Sequence, residues 1–133
     1  MWFLVHEWAL SESIVSYIEE SYRGKKILEI SIGLGELQNI DEEILVFSIK
    51  ELFKLRKLGD PKISVKRIPT KLRCRSCKYT WSPNLSEIPE ELIEVFHFVP
   101  EAIHSYLRCP RCGSRDYEIL SGRGVYIEKV VFE

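Results

Sequence analysis

Residues 25–38 read KKILEISIGLGELQ, and their period decides what kind of fold this is. Leu28, Ile30, Ile32 and Leu34 fall on one side of an extended chain, with Glu29, Ser31 and Gly33 on the other. Strict alternation of this kind predicts a half-buried β-strand, and such a strand needs partners on its edges and a layer over its apolar side. Upstream, Val5 to Tyr22 has helical spacing, with Leu10, Ile14, Tyr17, Ile18 and Ser21 sharing a face and Gly24 as a stop. Downstream, NIDEEILVFSIKELFKLRKLGDP predicts a second helix. Asn39 and Glu42 form a capping-box-like start, Ile44, Phe47, Ser48, Leu52 and Leu55 form the apolar stripe, and Gly59-Asp60-Pro61 forms the end. KISVKRI (62–68) and GVYIEKVVF (124–132) are two further strand candidates. The sum is an α+β fold: a small three-stranded sheet with two helices on one face, their apolar sides sharing one core.

The long stretch between those last two strands holds all four cysteines and most of the prolines and shows no sustained periodicity. It reads as an insertion into the sheet, so the expected division is 1–66 with 123–133 as one domain and 67–122 as the other. Charge follows the same division. Residues 1–61 carry 7 Lys/Arg against 11 Asp/Glu, and residues 62–123 carry 11 against 7, within a chain of net charge −1. Two modules with different partners would produce this asymmetry, and so would an ordinary mixed surface. The 133 residues, 45% hydrophobic and 29% charged, describe a globular chain. No apolar run approaches the ~18 residues of a membrane span. The opening MWFLV has no basic flank and too short an apolar core for a signal peptide, so a cytoplasmic protein is expected.

In that compartment cysteines are kept reduced. Cys74-Arg75-Ser76-Cys77 and Cys109-Pro110-Arg111-Cys112 form two C-x-x-C pairs with 31 residues between them. Each tight turn aims two sulfurs at one point, and two such turns supply the four tetrahedral thiolates of a structural zinc site. Gly113 supplies the left-handed backbone that commonly follows such a turn, whereas Lys78 is less typical at the matching position. The gap exceeds the roughly 15–20 residues of the usual ribbon spacing, which implies an excursion between the two turns. A redox dithiol is the rival reading, and two pairs in one small module favour zinc. Four thiolates leave no open position for a substrate water, so the site is structural. Its expected task is to fold a segment too poor in apolar residues to build its own core.

His6 and Glu7 pose a different problem. A histidine second from a chain start can chelate through the terminal amine, its own amide and its imidazole, and a following Glu can complete a planar set from its amide or carboxylate. Square-planar nitrogen and oxygen coordination suits Ni(II) or Cu(II). His6 takes that place if the functional chain begins at Val5. Valine is what a GTG start codon encodes when read internally, and Val5, translated as methionine, is the expected initiator.

VHEWALSESIV (5–15), GLGELQNIDEEILVFSIKELF (33–53), the C-x-x-C…C-P-x-C-G-S pattern and GRGVYI (122–127) occur in this order. Together they resemble the HypA/HybF family of hydrogenase-maturation nickel chaperones, archaeal HypA in particular, over nearly the whole chain. The resemblance implies that His6 is the nickel-binding histidine with Glu7 beside it, and that Cys74, Cys77, Cys109 and Cys112 hold zinc. Ni(II) would be cargo for a HypB-type GTPase/ATPase and the hydrogenase large-subunit precursor. Residues 1–4 depart from the family's opening. His97, between Phe96 and Phe98, is an additional nickel candidate, whereas His104 reads as an ordinary packing residue. Trp8 and Tyr22 read as core or interface aromatics, and helix one is the candidate partner contact. A homo-oligomer is compatible with the sequence.

Two other function classes fit the sequence less well. Arg67, Lys71, Arg73, Arg75 and Lys78 around the first turn would suit a zinc-ribbon nucleic-acid adaptor, but the chain is slightly acidic overall and no nucleic acid is expected. An enzyme is not expected either. Gly33-Leu34-Gly35 is half of a dinucleotide fingerprint, but Gln38 stands where the third glycine belongs. No nucleophile–base set lies outside the cysteines.

Overall fold

The computed structural model describes residues 2–38 and 40–133, the side chains of residues 2–6 excepted. The chain forms two compact units, one of residues 1–33, 40–66 and 126–133, the other of residues 34–39 and 67–125. Among the described residues no helix is long and apolar enough to cross a membrane.

In the first unit, α1 (Trp2–Ser21) begins three residues ahead of the expected Val5. Strands β1 (Ile27–Gly35), β2 (Lys62–Ile68) and β6 (Val125–Phe132) form one sheet in the order β2-β1-β6, and α2 (Glu42–Leu55) links β1 to β2. The strongest alternating stretch is therefore the central strand. Ile30, Ile32 and Leu34 are buried as expected, but Ile27 takes the inner place expected of Leu28, which is exposed. The alternation breaks between the first and fourth residues of the strand. Lys26 and Glu133 exchange both backbone hydrogen bonds, and the Gly35 N–H donates to the Gly124 carbonyl at 2.8 Å. Those two pairings make β1 and β6 antiparallel.

Both helices are rotated by about one residue from the expected faces. α1 buries Ser11, Ile14, Val15 and Ile18, and leaves Tyr17 and Ser21 outside. α2 buries Leu45, Ser48, Ile49, Leu52 and Phe53, and leaves Phe47 and Leu55 exposed. The cause lies where the helices touch. The Ser11 and Ser48 hydroxyls hydrogen-bond to each other, and Ser48 also donates to the Ile44 carbonyl at 2.8 Å. Two small hydroxyl residues satisfy each other in the buried seam and let the helices approach, which moves the larger Tyr17 and Phe47 to the margins. Arg56 ties the far ends together, reaching Ser16 at 3.0 Å and Glu19 at 3.2 Å. The cap of α2 is Asp41, whose Oδ1 accepts the Ile44 N–H at 3.1 Å. Asn39, the expected cap, lies outside the described residues.

The second unit holds β3 (Lys71–Cys74), β4 (Thr80–Trp81) and β5 (Tyr117–Ser121), a sheet in the order β4-β3-β5. Both pairings are antiparallel, with Leu72 opposite Trp81 and Cys74 opposite Tyr117. Between the cysteine pairs the chain forms α3 (Glu90–Phe98), flanked by 3-10 turns at Leu85–Glu87 and Pro100–Ser105. This region was expected to lack a core of its own, and the structure corrects that. Leu37, Leu72, Ile88, Phe96, Ile103 and Tyr117 form a buried apolar cluster. One member, Leu37, comes from the end of the β1 segment, which explains why residues 34–39 belong to this unit and not to the first. The Glu36 carboxylate accepts the Thr70 N–H at 3.2 Å, the Leu37 N–H donates to Gly122 at 2.9 Å, and the Gln38 side chain accepts the Gly124 N–H.

Two backbone constraints in this unit are testable. A Cβ on Gly35 would lie 2.4 Å from the Gly122 carbonyl oxygen and 2.7 Å from that of Gly124, both backbone atoms that have no side-chain freedom to yield. Gly35→Ala is expected to destabilise by about 3 kcal/mol or more in denaturant unfolding. Lys78 and Gly113, each directly after a C-x-x-C, have φ of 67° and 78°. Gly113→Ala is expected to cost about 1 kcal/mol through strain alone, because the new Cβ would meet nothing within 4 Å. Lys78→Gly is expected to be nearly neutral, since relief of strain is offset by about 0.5–1 kcal/mol of unfolded-chain entropy.

Candidate metal centre

Each C-x-x-C sits on a turn built by the same two backbone bonds. Lys78 N–H donates to the Cys74 carbonyl at 3.0 Å, and Cys74 N–H to the Tyr79 carbonyl at 2.8 Å. In the second turn Gly113 N–H donates to Cys109 at 2.8 Å, and Cys109 N–H to Ser114 at 2.8 Å. The left-handed residue at the end of each turn is what closes it. Ser76 and Ser114 place the two turns side by side, their hydroxyls 3.4 Å apart.

All four sulfurs lie within 4.8 Å of one another. Cys74 Sγ is 3.5 Å from Cys112 Sγ, and Cys77 Sγ is 3.6 Å from Cys109 Sγ. A disulfide needs about 2.05 Å, and all four cysteines are free. Four thiolates around an ion at about 2.3 Å would stand about 3.8 Å from one another, so the cluster is close to the size of a tetrahedral metal site. Its electrostatics point the same way. The Cys77 N–H directed at the Cys74 sulfur, aided by neighbouring donors and opposed by burial, holds that thiol at about 6. Burial pushes Cys109 upward, but the Cys112 and Arg111 N–H groups outweigh it and the thiol falls below its ordinary value. The Ser114 N–H lowers Cys112, yet the sulfur of Cys74, burial and the two other sulfurs together push it up to about 12. The backbone is arranged to stabilise thiolates, and their mutual repulsion is what prevents all four from forming. A bound dication removes that conflict.

The sheet supports the turns through contacts that the sequence does not reveal. Arg75 reaches Asp116 at 3.0 Å and Glu118 at 3.9 Å, bracing the first turn against β5. The Tyr117 hydroxyl lies 2.9 Å from the carbonyls of both Ile103 and Leu107, and burial raises its pKa to about 12. His104 stacks on the Tyr117 ring at 4.3 Å and bonds Arg115 through Nδ1, a packing residue as expected. Trp81 meets the same tyrosine edge-on at 5.3 Å. A lone aromatic just after the second C-x-x-C was the only hint of this buried hub.

The other site residues are placed unequally. The His6 backbone is in α1, and its side chain lies outside the described residues. Glu7 is fully buried, and its Oε1 accepts the N–H of Asp41, the cap of α2, at 3.4 Å. Its carboxylate therefore faces the positive end of α2. His97 is also buried, in the second unit, where its Nδ1 bonds the Gln38 carbonyl and its ring meets Phe98 edge-on at 5.0 Å. Because a carbonyl only accepts, Nδ1 is the donor of that bond.

Comparison with known proteins agrees with this layout. The family described as "Hydrogenase/urease nickel incorporation, metallochaperone, hypA" matches residues 5–132. The hydrogenase maturation factor HypA of Pyrococcus horikoshii is 40% identical, over 97% of this chain and 96% of its own. That of Thermococcus onnurineus is also 40% identical, with the same coverage. Two solution structures share the fold. A HypA protein gives a TM-score of 0.62 at 18% identity, covering 95% of this chain and 94% of that one. The Ni metallochaperone HypA from Helicobacter pylori gives 0.56 at 17%, covering 93% and 94%. The chain belongs to the HypA family of nickel-incorporation metallochaperones, a family without catalytic activity of its own.

Proposed function

We propose that this chain carries one Ni(II) ion at its His6-Glu7 motif and delivers it for [NiFe]-hydrogenase maturation, together with a HypB-type GTPase/ATPase, while Cys74, Cys77, Cys109 and Cys112 hold a structural zinc. The observation that carries this reading is the family match over residues 5–132, in which His6 is the second residue of the matched stretch. The names of the relatives specify hydrogenase, which favours a hydrogenase over a urease as the recipient.

The two metals make different demands. Zinc supplies the charge that lets four thiolates coexist, and its tetrahedron is filled by protein ligands. Nickel must be surrendered, so its site should be open and pH-sensitive. With Val5 as first residue, the terminal amine, the amide of His6 and its imidazole form fused chelate rings with flat geometry. The Glu7 carboxylate is engaged with α2, so the backbone amide is the donor that Glu7 best offers the nickel. His97 is a proposed additional donor. A chaperone of this type needs no catalytic group, only ligands that exchange.

Native mass spectrometry with added nickel, on chains beginning at residues 1 and 5, tests the nickel reading. One tight nickel is expected in the shorter chain, weaker uptake in the longer, and loss in the shorter chain on His6→Ala. Tight binding should weaken as pH falls, because imidazole and amine bind nickel only when unprotonated. Indifference of both chains to nickel would overturn the proposal. For zinc, Cys109→Ser is expected to abolish the one-zinc stoichiometry and to broaden the amide signals of 67–125, since metal binding of about 10–16 kcal/mol is coupled to folding in such sites. Undiminished zinc content in that variant would reject the assignment.

A further inference from the structure

Between the two cysteine pairs, residues 79–107 carry five glutamates and no lysine or arginine. The helix at their centre, α3, has one committed side, where Phe96 joins the apolar cluster of its unit and His97 is buried beside it. The opposite side is apolar as well. Val95, Phe98 and Val99 are 46%, 48% and 52% exposed. At i, i+3 and i+4 they form one continuous ridge. Glu91 stands four residues before Val95 and Glu94 four residues before Phe98, so a carboxylate adjoins each of the first two ridge residues. Of the five glutamates only Glu101 is ion-paired among the described residues, with Arg123.

We infer that the solvent face of α3, with its Val95-Phe98-Val99 ridge edged by Glu91 and Glu94, is a docking surface for an amphipathic helix of another protein whose apolar ridge is flanked by lysine or arginine. Exposed large apolar groups at helical spacing offer a ridge against which the apolar side of a second helix can pack. The unpaired carboxylates choose among occupants. Nucleic acid and anionic lipid would be repelled, and a second copy pairing two-fold on this face would set the same glutamates against each other. A cationic partner gains on both counts, apolar burial at the centre and opposite charge at the rim. The inference does not depend on nickel binding.

The test uses the full metal-loaded chain and two synthetic probes, a ~18-residue amphipathic Leu/Lys helix and its Leu/Glu counterpart. The Leu/Lys peptide is expected to bind and to shift the NMR signals of Val95, Phe98 and Val99, with binding that weakens as salt rises. Phe98→Ser, and separately the pair Glu91→Lys and Glu94→Lys, should each weaken it about tenfold without changing circular dichroism or metal content. Phe98 also contacts His97, so Val95→Ser serves as the second variant should Phe98→Ser perturb the fold. Equal binding of both peptides would overturn the inference, as would shifts mapping to α1 or to the cysteine turns. So would a dimer that Phe98→Ser dissociates, since that would give the face to a second copy.

Discussion

Four sulfurs held within a few ångströms cannot all carry charge in the absence of a cation, and much of the second unit is arranged around that conflict. The paired turns exist to aim backbone N–H groups at the sulfurs. The left-handed Lys78 and Gly113 close those turns, and Arg75 braces the first of them against β5. The apolar cluster beneath, centred on Tyr117, gives the turns a floor but supplies no charge. Metal and core are therefore complementary: one resolves electrostatics at the tip, and the other holds the sheet from which the tip projects.

The first unit answers a different requirement. Its buried seam between α1 and α2 contains polar contacts, with Ser11 and Ser48 satisfying one another and Glu7 bonded at the head of α2. A carboxylate placed there is favoured by the helix dipole and ties α1 to the head of α2.

What could be read in advance follows from how local each signal is. The strands announced themselves through short-range alternation, and the cysteine pairs through spacing alone, so sheet membership and the metal cluster were both legible. Helix existence was equally plain, but the orientation of each helix was not. In α2 the sets Ile44-Phe47-Ser48-Leu52-Leu55 and Leu45-Ser48-Ile49-Leu52-Phe53 both satisfy helical spacing, and only the packing of Ser48 on Ser11, 37 residues away, decides between them. α3 was missed because nine residues bounded by Pro89 and Pro100 give too short a window for periodicity to register. The apolar cluster of the second unit was underestimated because Leu37 enters it from a segment that reads as part of the first.

The interleaving of the two units has a consequence for biosynthesis. Leu37 joins the core of the second unit, and that unit is finished at Val125, whereas the first still awaits Tyr126–Glu133 for one edge of its sheet. As the nascent chain leaves the ribosome, all the ligands for the sulfur-bound ion are thus available before β6 can pair. Domains generally fold as their residues emerge, so this order lets metal capture precede closure of the sheet. It also means that no single cut in the chain separates the units.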